Sequence, residues 1–249
     1  MKKVLSVILA IILLLTSLSL VSCSVVKEVD SIDGVSAKEA YFNAMDLINS
    51  SERYEVVVDM KIEVDLFLFS IPVKIDGFYF YSYDGVNEHH GITEAGEELI
   101  ENELIKTIAP DAFSGYDKEL WYVDGICYYI TSSGSKEKFE SDTSPVQRSD
   151  LEREVNYILE NDMAEATCYK KGDQYYFELV LEEDDVRLDV DGTTTKEIYT
   201  IYFDNDGYID TISVESESEG FSSTLTMHYT YDGLDPITAP EDADSFIEV

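Results

Sequence analysis

Basic residues are scarce: 17 Lys and Arg stand against 52 Asp and Glu, a formal net charge of -35 over 249 residues. Nucleic acid is thereby excluded as a partner, because binding it requires a cationic footprint that displaces counterions from phosphates. Histidine is also rare, at 3 residues, which leaves few candidate general bases beyond the carboxylates. With only 5 Pro and 3 Cys, neither a proline-rich linker nor a disulfide framework organises the chain. No P-loop, dinucleotide-binding glycine fingerprint or G-x-S-x-G elbow occurs. What is present is a core-forming composition, 45% hydrophobic and 12% aromatic with 18 Tyr. A chain of this length and content is globular and not disordered.

Lys2 and Lys3, followed by the apolar run Val4–Leu20, have the form of an export signal. The run ends in Leu20-Val21-Ser22-Cys23, which resembles the lipobox of bacterial lipoproteins, where small residues precede a cysteine that is acylated and becomes the new N-terminus. On this reading residues 1–22 are a signal peptide, Cys23 is the lipid attachment site, residues 23–35 form the lipidated cysteine and a tether, and residues 36–249 form one domain. The location implied is the extracytoplasmic face of a bacterial membrane. Removing residues 1–22 takes away Lys2 and Lys3 and no acidic residue, so the net charge falls from -35 to -37. Anionic headgroups repel such a body, and anchoring is left to acyl chains worth about 0.8 kcal/mol per buried CH2. Cys127 and Cys168 remain, either as a disulfide, permitted outside the cytoplasm, or as two buried thiols.

Ser36-Ala37-Lys38-Glu39 fits a capping box, and Ala40, Tyr41, Ala44, Leu47 and Ile48 recur at helical spacing. The strongest periodic signal follows. Tyr54, Val56, Val58, Met60, Ile62, Val64 and Leu66 alternate with Glu55, Asp59, Lys61, Glu63 and Asp65, which predicts a strand apolar on one face and wet on the other. A turn near Ser70–Pro72 leads into Val73, Ile75, Tyr79, Tyr81 and Tyr83, with Gly77 marking a bulge or bend. Leu99, Ile100, Leu104, Ile105 and Ile108 suggest a helix ending before Pro110. Asp124-Gly125 between two apolar runs predicts a two-residue hairpin turn with positive φ at both positions. Thr131–Pro145 reads as a loop, Ser149 with Glu152 as a second helix start, and 182–195 as an acidic loop. Strands are expected at 164–170, 175–181, 197–203, 208–214 and 221–231. Two or three helices and about ten strands joined by short connections make an antiparallel α+β arrangement.

Motifs that invite chemistry are weak. His89 and His90 are adjacent on a strand, so they point to opposite faces and do not chelate one ion together. Asp189-Val190-Asp191-Gly192 and Asp204-Asn205-Asp206-Gly207 fail the EF-hand spacing, since Ile198 or Ser213 would stand where the bidentate Glu belongs. Ser133-Gly134-Ser135-Lys136 matches S-x-x-K without the accompanying motifs of penicillin-interacting enzymes. The expectation is a protein that is not an enzyme and uses no metal or cofactor.

The order of lipobox, short tether, capped helix, long alternating hairpin and meandering strands resembles the LolA-like superfamily, including LppX/LprG-type lipoproteins. The segment Tyr229-Thr230-Tyr231-Asp232-Gly233-Leu234-Asp235-Pro236-Ile237-Thr238-Ala239-Pro240-Glu241-Asp242-Ala243 is similar to the ending of many such proteins. The resemblance implies an antiparallel sheet curved as an incomplete β-barrel, with two or three helices on its concave face and an apolar cavity for acyl chains. Val56, Val58, Met60, Ile62, Tyr79, Tyr81, Trp121, Phe177, Ile201 and Met227 are then the candidate cavity residues, although an ordinary core needs the same residue types. The function implied is binding of a lipid-like hydrophobic or amphiphilic molecule, as carrier or sensor. The alternative is an interaction module without a cavity that contacts another envelope protein or the wall polymer.

Overall fold

In a computed structural model, residues 26–66, 69–101, 117–144, 166–182, 194–218 and 221–249 are described. The signal segment, Cys23, the helix expected from Ser149, the acidic loop at 183–193 and the far part of the helix expected before Pro110 lie outside the described residues.

The alternating run forms β2, Tyr54–Leu66, which pairs antiparallel with β3, Phe69–Tyr83. The hairpin closes at Leu66 opposite Phe69, so the expected turn at Ser70–Pro72 is strand instead. Pro72 is tolerated there because this stretch of β3 pairs only with β2 among the described residues, leaving no second ladder that needs its missing N–H. The register slips between Val58 and Met60, where Gly77 has φ +67 and donates its N–H to Asp59 Oδ1 at 2.6 Å. A side chain at that φ is strained, which is why the bulge falls on glycine.

The remaining strands are β1 (Val26–Val29), β4 (Glu88–Ile92), β5 (Asp117–Val123), β6 (Ile126–Thr131), β7 (Lys136–Glu140), β8 (Thr167–Lys171), β9 (Gln174–Glu182), β10 (Thr194–Phe203), β11 (Ile209–Ser218), β12 (Phe221–Thr230) and β13 (Ile247–Glu248). They form one open, curved sheet in the order β1-β8-β9-β10-β11-β12-β2-β3-β4-β5-β6-β7-β13. Every neighbouring pair is antiparallel except β13 on β7. Asp124 and Gly125, with φ +53 and +80, join β5 to β6 in the expected two-residue turn. Two expectations differ from the structure. Part of the supposed tether is β1, and part of the supposed loop after Thr131 is β7. Neither has an alternating apolar pattern, because each is held by main-chain bonds to β8 or β6.

Among the described residues two α-helices pack on one face, called here the inner face. Helix α1, Ala37–Ser50, starts where Ser36 Oγ accepts the Glu39 N–H at 3.2 Å and ends where Ser50 and Ser51 donate to the Leu47 carbonyl. Its buried stripe, Ala37, Ala40, Tyr41, Ala44, Met45 and Ile48, lies on Phe177, Leu179, Tyr199, Ile201 and Ile212. Alanines at the contact let the helix approach closely, and Tyr41 meets Phe177 edge to face at 6.3 Å. Helix α2, Glu94–Ile100, is capped by Thr93, whose hydroxyl accepts the Gly96 N–H at 3.2 Å, and it covers Ile62 and Phe78. On the opposite, outer face the C-terminal segment crosses β5–β7. There Phe246 fills a cluster with Trp121, Val123 and Tyr128.

Candidate ligand-binding face

Strand register places the sequence-derived candidates in rows. Cross-strand partners share a face, and one row runs over nine strands through Val29, Cys168, Phe177, Ile201, Ile212, Met227, Val58, Tyr79 and Ile92. A parallel row carries Leu179, Tyr199, Val214, Leu225, Met60 and Ile75. Both change character at the same place. From Cys168 to Ile212, and from Leu179 to Val214, the side chains are buried beneath α1, with Phe177 and Ile201 fully enclosed. Beyond β11 they are only partly buried: Met227, Val58, Tyr79, Leu225, Met60 and Ile75. Past them the face closes again, where Ile100 of α2 packs with Ile62 and Phe78 of the sheet. The inner face therefore carries a stretch of partly buried apolar side chains, called here the trough, between two helix-covered cores.

The ten candidates divide accordingly. Val58, Met60, Tyr79 and Met227 lie in the trough, Val56 and Tyr81 are buried beside it, Ile62 is under α2, and Phe177 and Ile201 are under α1. Trp121 is not among them. It pairs with His89 across β4 and β5, stacks on that ring at 4.7 Å on the outer face, and meets Phe246 edge to face. The sequence does not distinguish the two sides of β5, because the C-terminal segment makes its outer side apolar as well. A groove of about 690 Å³ lies on this outer side between the sheet and residues 233–242, lined by Glu55, His89, Glu119 and Trp121 among others. The wet side of β2 is as expected: Lys61 pairs with Glu63 at 2.5 Å, Glu55 accepts from Ser82, and Asp59 meets His228.

A third row, Tyr229, Val56, Tyr81, His90 and Leu120, brings polar groups to the rim of the trough. The adjacent histidines do part: His89 bonds Glu119 at 2.8 Å on the outer face, while His90 is buried on the inner face. His90 Nδ1 lies 2.7 Å from the Tyr79 hydroxyl, and its Nε2 is buried without a hydrogen-bond partner among the described residues. Burial, then repulsion from His89, pushes His90 down to about 4, so the ring is neutral near pH 7. Glu88, also buried, accepts from Ser144 at 2.5 Å. Burial, reinforced by the Glu88 charge, raises the Tyr79 phenol and pushes the Cys127 thiol up to about 11. Cys127 and Cys168 are free and buried, on strands with eight others between them in the sheet order. Sequence reasoning did not place Phe78 and Leu225 on this face or Glu88 and His90 at its rim. The Gly77 bulge is the signal that turns Phe78 inward.

Among the described residues no group of three or more His, Cys, Asp and Glu is arranged to hold a metal ion, and no helix is long and apolar enough to cross a membrane. No family model matches the chain, and no curated protein does. Among solved structures the chain is similar to the lipoprotein LppX of Mycobacterium tuberculosis, with 9% identity and a TM-score of 0.38, over 80% of this chain and 97% of that one. It is similar to a DUF1329 family protein from Desulfovibrio piger, at 12% identity and TM-score 0.27, over 80% and 95% of the two chains. A LolA superfamily protein from Nitrosomonas europaea follows at 13% identity and TM-score 0.26, over 81% and 96%.

Proposed function

We propose that the chain is a non-enzymatic, extracytoplasmic lipoprotein, anchored through Cys23, that binds a hydrophobic or amphiphilic molecule along the concave inner face of its sheet, as carrier or sensor. The observation that carries this reading is the break in burial along the two rows. Under α1 the apolar face is closed core, whereas Met227, Val58, Tyr79, Leu225, Met60 and Ile75 keep part of their surface open between α1 and α2. Contiguous open apolar surface in a water-soluble body is costly, at roughly 25 cal/mol per Å², and marks a surface that something covers. Lipid-like molecules suit a trough of aliphatic and Met side chains with Tyr at its margin.

Native mass spectrometry of the membrane-extracted chain, with lipid extraction, tests the reading. An acyl-bearing molecule should co-purify at about one per chain, in addition to the anchor. Its repeated absence would favour the second reading, an interaction module. That reading draws on a tyrosine ladder on the outer face, where Tyr169 stacks on Tyr176 at 5.2 Å and Tyr176 lies tilted against Tyr202 at 4.8 Å. Anchoring is separable: Cys23→Ala should release the chain from the membrane.

A further inference from the structure

His90 is only 9% exposed, yet its two ring nitrogens are treated differently by their surroundings. Nδ1 lies 2.7 Å from the Tyr79 hydroxyl, while Nε2 is closed to solvent and has no hydrogen-bond partner among the described residues. Buried polar atoms are almost always partnered, because an unmet one forfeits the hydrogen bonds it would make to water. The place of this one in the sheet is specific. Tyr79 stands opposite Ile92, and the next inward-facing pair is Tyr81 with His90, so His90 lies where the trough row of Met227, Val58 and Tyr79 reaches β4. From Met227 on β12 to β4 is three strand steps, about 14 Å.

Tyr79 decides which kind of group Nε2 is. Burial, reinforced by the Glu88 charge, raises the Tyr79 phenol, so it keeps its proton, and the His90 ring is neutral near pH 7. A phenol is a good donor and a weak acceptor, whereas the unprotonated nitrogen of a neutral imidazole is a strong acceptor. Tyr79 therefore donates to Nδ1, and the ring's single proton stands on Nε2. The unmet group is a buried N–H donor, which suits an acceptor oxygen. A cationic head has no acceptor to offer. An anionic head would be drawn toward buried Glu88, whose charge already acts on Tyr79. An uncharged carbonyl oxygen meets both conditions.

We propose that His90, fixed by Tyr79, binds the uncharged acyl carbonyl of an amphiphile whose hydrocarbon chain lies along Met227, Val58 and Tyr79. The inference rests on the reading of the trough as a surface for hydrophobic ligands and adds their class: neutral acyl esters or amides in preference to free fatty acids or alkylamines. Tyr79 has two parts in this, since its ring borders the chain and its hydroxyl sets the His90 tautomer. Because Nε2 is closed to solvent, the carbonyl reaches it by a side-chain rotation at the rim, a change common on binding.

The test uses the chain from Cys23 onward without acyl groups, which carries every described residue and leaves no anchor to compete. Displacement of dansylated undecanoic acid is read with methyl decanoate, dodecane, decanoate and decylamine. The ester should displace the probe at lower concentration than decanoate or decylamine. His90→Leu should weaken methyl decanoate about tenfold, the worth of one hydrogen bond, and leave dodecane, of equal chain length, unchanged. His90→Gln, which offers an amide N–H, should restore most of the difference. In the imidazole nitrogen spectrum of the parent, Nε2 should carry the proton, and its signal should move with methyl decanoate but not with dodecane. Equal weakening of ester and dodecane by His90→Leu, an Nε2 signal that ignores the ester, or tighter binding of decanoate or decylamine would overturn the inference and leave the trough a binding surface. A parent that binds neither the probe nor any of the four compounds would instead overturn the reading of the trough on which it rests.

Discussion

The carboxylate of Asp84 accepts the backbone N–H of Ile237 at 2.9 Å, across 153 positions of sequence. It also accepts the Asn87 N–H at 3.0 Å, and so fixes the end of the β3–β4 turn to the segment that leads to Phe246. Burial alone would raise this carboxyl, but the N–H groups of Asn87 and Ile237 outweigh it and hold Asp84 below its ordinary value. A depressed carboxylate contributes stability above its unfolded value of 3.8 that is lost as pH falls through the lower folded value. Asp84→Ala should cost about 1 kcal/mol, discounted for its partial exposure. Hydrogen exchange should quicken at 237–246 while the β9–β11 strands stay protected. Unchanged exchange at 237–246 would mean that Lys136–Asp242 and Phe246 hold the segment without Asp84.

Gly96 offers a case where local propensity and packing disagree. In a solvent-facing helix position Gly→Ala stabilises by about 1 kcal/mol. Here a Cβ would fall on the Phe78 carbonyl oxygen and come within 2.6 Å of Ile92 Cγ2. Backbone cannot yield as a flexible side chain does, so the clash outweighs the propensity gain. Gly96→Ala should destabilise by about 1–3 kcal/mol, seen as a lower urea midpoint. A raised midpoint would show that α2 moves freely off the sheet.

How far the sequence reached depends on what holds each element. β2 and β3 were legible because burial of one face imposes period-2 alternation. β1, β7 and β13 were not, since strands at or next to the sheet's ends, held by main-chain bonds, need no side-chain pattern. Nine of the ten candidates share the inner face by strand register, but the division between partly buried stretch and closed core depends on how far α1 reaches over the sheet, which no local pattern encodes. Trp121 illustrates the complementary loss: its face is decided by a segment more than a hundred residues later.

His90 supplies a pH dependence with a definite sign. Its folded value of about 4 lies below the ordinary 6.5, with burial the first cause and the neighbouring His89 the second. Above pH 6.5 the ring is neutral folded or unfolded and contributes nothing. Between 6.5 and 4 the unfolded chain binds a proton that the folded chain refuses, so stability falls on acidification by up to about 1.4 kcal/mol per pH unit. His90→Gln should flatten this part of the stability curve, leaving the carboxylate-driven loss below pH 4. An unchanged slope between pH 6.5 and 4 in the variant would assign the loss to other groups.

Overpacking along the nine-strand row distinguishes trough from core. Ile201 is fully enclosed under α1, whereas Val58, two strands beyond the break in burial, is only partly buried. Ile201→Trp has no free volume to enter and should cost at least about 1–3 kcal/mol. Val58→Trp projects into the open stretch between Met227 and Tyr79, its cross-strand partners on either side. It should cost under about 1 kcal/mol and weaken binding of a dansylated undecanoic acid probe at least tenfold, by occupying the probe's place. Urea midpoints, with slopes compared to exclude a change in cooperativity, and probe titrations of the two variants settle the matter. If Val58→Trp destabilises as much as Ile201→Trp and the parent binds no probe, the row is close-packed throughout and the inner face is ordinary core.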